Sequence, residues 1–176
     1  MNKKVLVAYA SRYGSTQEVA EAIAGVLREK GLNVDLQPMR KVRTTEGNDG
    51  VVLGAAFYFG LWHKDAINFL SRNEVALTKR PVAIFALGPT SKDEKEMKDC
   101  RAQLDKALAK FPWLSPVAIE MFCGKYPARL RFPDSLVAGL PASPLHGKPA
   151  SDVRDWEAIR DWTDNLAAQL QPVIPQ

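Results

Sequence analysis

The chain has 176 residues, 46% of them hydrophobic and 25% charged, which fits one globular domain spanning 1–176 and leaves no room for a second full one. A formal net charge of +4 is too mild to indicate nucleic-acid binding. The two cysteines, Cys100 and Cys123, match neither a CxxC motif nor a zinc-ligand spacing, so no metal site is expected and each reads as an ordinary buried or half-buried thiol.

In chain order, a basic start at Met1 to Lys4 precedes the apolar run Val5 to Ala10. That run is too short for a signal-peptide core, and no small-residue cleavage site follows it. It reads as a first strand covered on both faces. Ser15 to Lys30 places Val19, Ile23, Val26 and Leu27 at helical spacing, with Gly31 as the stop. Leu32 to Leu36 and Gly50 to Ala55 read as the second and third strands. His63 to Arg72 reads as a short helix, Pro81 to Leu87 as a fourth strand, Asp93 to Lys110 as a helix and Val117 to Cys123 as a fifth strand. Ser151 to Leu170 closes the series as a helix with Ser151 as its N-cap. Between the last two lies a long connection, 124–150, rich in proline, glycine and basic residues. A connection of that length inside a compact domain is usually functional.

Such alternation predicts an α/β fold, a parallel sheet with helices on both faces and right-handed crossovers. No stretch approaches the ~20 apolar residues of a membrane-spanning helix. The expected location is the cytoplasm, with peripheral contact at the inner face of the membrane left open.

Three turns at strand ends carry the chemistry. After the first strand comes Ser11-Arg12-Tyr13-Gly14-Ser15-Thr16, directly before a helix. Small hydroxyl residues around a glycine at a helix N-terminus suit a terminal phosphate: the backbone can approach closely and its amides point at the anion. The same residues also suit a plain helix cap. Neither GxxxxGK[ST] nor GxGxxG is present, which removes most support for nucleotide hydrolysis or dinucleotide binding. After the third strand, Phe57, Tyr58, Phe59 and Trp62 crowd around Gly60, a composition suited to stacking on a planar ring, with one or two of them expected in the core. His63 reads as a helix N-terminal residue rather than a catalytic base. After the fourth strand, Leu87-Gly88-Pro89-Thr90-Ser91 is a run of turn formers.

The segment 5–23, VLVAYASRYGSTQEVAEAI, resembles the flavodoxin family, whose signature is a strand, a hydroxyl- and glycine-containing loop and a helix. The resemblance implies a three-layer, doubly wound, five-stranded parallel sheet of order 2-1-3-4-5, with FMN at the switch point between strands one and three. It also implies that Ser11, Arg12, Tyr13, Gly14, Ser15 and Thr16 hold the FMN phosphate. Phe57, Tyr58, Phe59, Gly60 and Trp62 would flank the ring, with the peptide near Gly60 at its reactive nitrogen, and Leu87, Gly88, Pro89 and Thr90 would form a third cofactor loop. No catalytic side chain is implied, because the flavin carries the chemistry.

In GAAFYFGLWHKDAINFL, the segment 125–132 and Asp155-Trp156 the chain more specifically resembles flavodoxin-domain proteins of the quinone-dependent protoporphyrinogen oxidase type. Its connection 124–150 is shorter than theirs and interrupted by Pro141, Pro144 and Pro149. The resemblance implies an oxidoreductase acting on a small-molecule substrate, such as quinone-coupled dehydrogenation of a protoporphyrinogen-like compound. Two alternatives stand beside it: an electron carrier between redox proteins, and a binding module that uses no cofactor. A carrier docking on basic reductase surfaces is expected to be acidic. This chain is basic, with Lys125, Arg129 and Arg131 beside Tyr126 and Phe132, a composition suited to a flap that meets an anionic substrate or an anionic membrane surface.

Overall fold

A computed structural model describes residues 3–58, 60–143 and 145–170, with Tyr58 described in its backbone only. The elements run β1 (Lys4–Ala10), α1 (Ser15–Glu29), β2 (Asn33–Pro38), a 3-10 turn (Met39–Lys41), β3 (Gly50–Tyr58), β4 (Leu61–Trp62), α2 (Lys64–Leu77), β5 (Val82–Leu87), α3 (Glu94–Leu108), β6 (Ala118–Phe122), β7 (Lys125–Tyr126), α4 (Asp134–Gly139), β8 (Ser151–Asp152) and α5 (Trp156–Leu170). The five parallel strands lie in the order β2-β1-β3-β5-β6, which is the expected 2-1-3-4-5. β4 folds back antiparallel on β3, and β7 and β8 form a separate antiparallel ribbon.

Strand alternation sorts the core into two halves, as the two-residue repeat of a pleated strand requires. Val5, Val7, Val52, Ala83, Phe85 and Leu87 face one side, where Val19, Ile23 and Leu27 of α1 and Ile159, Leu166 and Leu170 of α5 cover them. Leu6, Ala8, Val51, Leu53, Ala55, Val82, Ile84 and Ala86 face the other, under Phe69 and Leu70 of α2 and Leu104 of α3. With both faces covered, the central strands read as unbroken apolar runs. Gly54 is fixed by this packing: a Cβ there would stand 1.9 Å from Cζ of Phe85. Among the described residues, no helix is long and apolar enough to cross a membrane.

Several details differ from the sequence expectation: the strand read over 50–55 runs on to Tyr58 and pairs with β4, which was not expected. The helix predicted over 63–72 continues to Leu77. The last helix begins at Trp156, because Asp155 accepts a hydrogen bond from the amide of Ala158 at 3.0 Å and caps it in place of Ser151. Ser151 instead pairs with Tyr126 across the β7–β8 ribbon. The connection 124–150 also contains structure: β7, α4 and the return toward β8.

Candidate functional site

The sheet order reverses between β1 and β3, so their C-terminal ends border a crevice, the place where open α/β sheets bind ligands. A cleft of about 280 Å³ lies there. Tyr13 and Ser15 line it from the first loop, Ala56, Phe57 and Gly60 from the second, and Leu87, Gly88 and Thr90 from the third. Glu96, Cys100 and Gln103 of α3 line it as well, and Lys125, Tyr126, Pro127, Leu130, Asp134, Leu145 and Lys148 of the 124–150 connection roof it.

The first loop is pre-formed around Gly14, whose φ of 90° is left-handed backbone that costs a side-chain-bearing residue free energy. The Gly14 amide donates to Oγ of Ser11 at 2.9 Å, and α1 starts without a side-chain cap. Thr16 is fully buried, and its Oγ1 has no hydrogen-bond partner. A buried hydroxyl left unpaired costs about 1–3 kcal/mol. An anion at this helix N-terminus would relieve that cost and be favoured by the helix dipole. Nothing lies within 4 Å of the position a Gly14 Cβ would take, so the loop backbone is open to a close ligand. These features fit the phosphate of FMN.

Arg12 and Tyr13 turn toward the roof. Arg12 Nε lies 2.7 Å from Oδ2 of Asp134. The Tyr13 hydroxyl donates to the same oxygen at 2.6 Å and accepts from the Arg131 amide at 3.0 Å. Burial, then the bond to Asp134, pushes the Tyr13 pKa up, so the phenol keeps its proton and remains a donor. Two residues of the phosphate-type loop thereby tie the roof to the floor.

In the second loop, the β3–β4 hairpin turns through Gly60 (φ 76°) and sets Phe57 opposite Trp62. The two rings stack at a centroid separation of 6.4 Å. Phe57 and Gly60 reach the cleft. Trp62 does not: it is 6% exposed, donates through Nε1 to the Ala55 carbonyl at 3.4 Å and packs in the core over α2. Phe59 and the side chain of Tyr58 lie outside the described residues. His63 caps α2, its Nδ1 accepting from the Asp65 amide at 3.1 Å, and burial pulls its pKa down.

The third loop is held by Glu96. Its Oε1 accepts from the Thr90 amide at 2.8 Å and from Thr90 Oγ1 at 3.3 Å, and its Oε2 accepts from the Ser91 hydroxyl. Burial alone would raise the Glu96 pKa; the Ser91 hydroxyl, the Thr90 amide and the Lys148 cation outweigh it and hold the carboxyl below its ordinary value. From the roof, Lys148 donates to the Thr90 hydroxyl and Ser151 to the Thr90 carbonyl at 3.3 Å. Pro89 is buried beneath, its carbonyl accepting from the Gly124 amide at 2.6 Å. Burial raises the pKa of Cys100 and of Cys123, which keeps both thiols protonated and unreactive.

The basic cluster read from the sequence divides. Lys125 and Tyr126 line the cleft, with Lys125 3.9 Å from Glu18 and 4.0 Å from Asp152. Arg131 lies 5.9 Å from the Tyr13 ring centroid. Arg129 is exposed, and Phe132 is 79% exposed. Four residues with roles here were not singled out in the sequence: Glu96, Asp134, Lys148 and Arg154. The Arg154 side chain, 3% exposed, bridges Glu18 at 2.7 Å and Asp152 at 2.5 Å and donates to the Ser15 carbonyl at 3.3 Å, fastening the ribbon to the start of α1.

Residues 6–134 match the family model described as "Flavodoxin domain". The chain is 26% identical over 175 residues to protoporphyrinogen IX dehydrogenase (quinone) of Escherichia coli strain K12, covering 93% of this chain and 94% of that protein. Among solved structures it is similar to a flavodoxin from the domain Archaea, at a TM-score of 0.57, 14% identity and coverage of 95% and 98% of the two chains. It is also similar to oxidised flavodoxin 2 from Bacillus cereus, at 0.55, 19%, and 95% and 97%.

Proposed function

We propose that this chain, which belongs to the flavodoxin domain family, binds FMN in the cleft and passes reducing equivalents from a small organic donor to a quinone. FMN would supply the electron chemistry; the chain contributes binding, orientation and control of access. Ser11, Gly14, Ser15 and Thr16 would hold the phosphate. Phe57, the Gly60 turn and the Leu87–Thr90 loop would flank the ring.

The observation that carries the oxidoreductase reading is the roof. Tyr126, Pro127, Leu130, Leu145 and Lys148 close over the side of the cleft where the ring would lie. A carrier that delivers electrons to another protein needs its ring edge at the surface. Here the edge would sit beneath a mixed apolar and cationic cover, suited to a largely apolar substrate that carries carboxylates. The Escherichia coli relative's substrate, a porphyrinogen, has that chemistry. In the same connection, Phe132, Leu136 and Leu140 do not line the cleft and are 79%, 62% and 53% exposed, with Arg129 and Arg131 beside them in sequence. Exposed apolar residues close in sequence to cations support peripheral contact with the anionic bilayer in which a quinone dissolves.

The test is anaerobic turnover of protoporphyrinogen by the FMN-loaded protein with a soluble quinone. Porphyrin fluorescence should rise in proportion to quinone consumed. Fast exchange with a protein acceptor, without porphyrin formation, would establish the carrier instead.

A further inference from the structure

Two opposite charges stand on the ring side of the cleft, and the phosphate end has no use for them. Lys148 belongs to the roof. Its Nζ donates to the neutral hydroxyl of Thr90 and lies 5.8 Å from the Tyr126 ring centroid. Glu96 belongs to α3, and its carboxylate is spent on ordering the Thr90–Ser91 loop. Both line the cleft, together with Phe57 and Gly88. Lys125, the other cleft lysine, faces two carboxylates at 3.9 and 4.0 Å; Lys148 donates to the Thr90 hydroxyl, which in turn donates to Oε1 of Glu96 at 3.3 Å, so the two cleft charges face each other across one hydroxyl.

We propose that Lys148 is the potential-setting residue of the site: carried by the roof, it favours the reduced flavin, with Glu96 opposing it from α3. The inference rests on the FMN reading of the cleft. Two electrons and one proton convert oxidised flavin into its anionic reduced form. A fixed cation beside the ring therefore stabilises the reduced form more than the oxidised one, and a fixed anion does the reverse. Inside a cleft partly shielded from water, such a charge acts more strongly than on an open surface. Because Lys148 lies in the roof, closure and potential are linked. The closed state draws electrons from a donor, and opening withdraws the cation and eases their release to an acceptor. That linkage suits a substrate-oxidising protein better than a low-potential carrier.

The experiment compares FMN-loaded wild type with Lys148→Gln, Lys148→Arg and Glu96→Gln. Two readouts need no turnover: the two-electron midpoint potential against a reference dye, and the affinity for sulfite, which adds to oxidised flavin and leaves a negative charge on the ring. Lys148→Gln should lower the ratio of reduced to oxidised FMN affinity at least tenfold, equivalent to about 30 mV for a two-electron couple, and weaken sulfite binding by a similar factor. Glu96→Gln should move both readouts the opposite way, and Lys148→Arg should stay near wild type. FMN uptake with potential and sulfite affinity unchanged in Lys148→Gln overturns the proposal alone. So does a shift in the same direction in Lys148→Gln and Glu96→Gln, the mark of a disturbed loop. A wild-type protein that takes up no FMN overturns this proposal and the reading beneath it together.

Discussion

Replacing Asp134 with alanine should release the roof from the first loop without unfolding the sheet. The Arg12–Asp134 contact joins a side chain 36% exposed to one 10% exposed; solvent screens such a pair, and it contributes about 1 kcal/mol at most. The Tyr13 hydroxyl bond to the same carboxylate is charge-assisted, at 2.6 Å, and contributes about 1.5 kcal/mol. Together these give roughly 2–2.5 kcal/mol of local stability. At about 1.4 kcal/mol per tenfold, the open population of the roof should rise roughly 30- to 60-fold. Limited trypsinolysis read by mass spectrometry follows that population at Arg129 and Arg131, because cleavage of a rapidly reclosing segment tracks its opening equilibrium. Cleavage at Arg160, within α5, serves as the reference. Faster nicking at Arg129 and Arg131 with Arg160 unchanged is expected. An unchanged roof, or an equal increase at all three sites, would refute the reasoning.

Thr16→Val should act with opposite signs on stability and binding. It removes an unpaired buried hydroxyl, stabilising the ligand-free fold by about 1 kcal/mol and raising Tm by roughly 2–4 °C. It should weaken FMN by about 1.5–3 kcal/mol, or roughly 10- to 150-fold, while sparing riboflavin, as read by fluorescence titration. Gly54→Ala drives a methyl into the Phe85 ring and should cost about 1–3 kcal/mol in urea unfolding. Glu96, whose folded pKa is depressed, adds stability that is fully present above pH 4.5 and is lost as pH falls through the folded value. Glu96→Gln should therefore flatten the acid limb of the stability curve.

What the sequence disclosed follows from how far apart the interacting residues lie. β1 and β5 are legible because strands covered on both faces are apolar at every position, and the first loop because its residues are contiguous. The end of α2 is not legible because its final turns carry Asn73, Glu74 and Val75, the last 70% exposed, which blurs the helical spacing. The start of the last helix is ambiguous in sequence because Ser151 is as good a cap by type as Asp155, and only the β7–β8 pairing decides between them. By neighbourhood in the sequence Trp62 groups with the ring-side aromatics; the hairpin turns it into the core. Asp134 meets Tyr13 across 121 positions, Arg154 meets Ser15 across 139 and Lys148 meets Thr90 across 58. No local pattern announces such partners. Composition marked the roof as basic and aromatic, and the fold shows which of its charges reach the cleft.

The most direct test of the account is a paired titration of the purified protein with FMN and riboflavin, which share the ring and differ in the phosphate. The loop at 11–16, with the buried Thr16 hydroxyl awaiting a partner, predicts FMN binding at least about tenfold tighter, or roughly 1.4 kcal/mol. Equal affinity for the two flavins, or no binding of either, would contradict it.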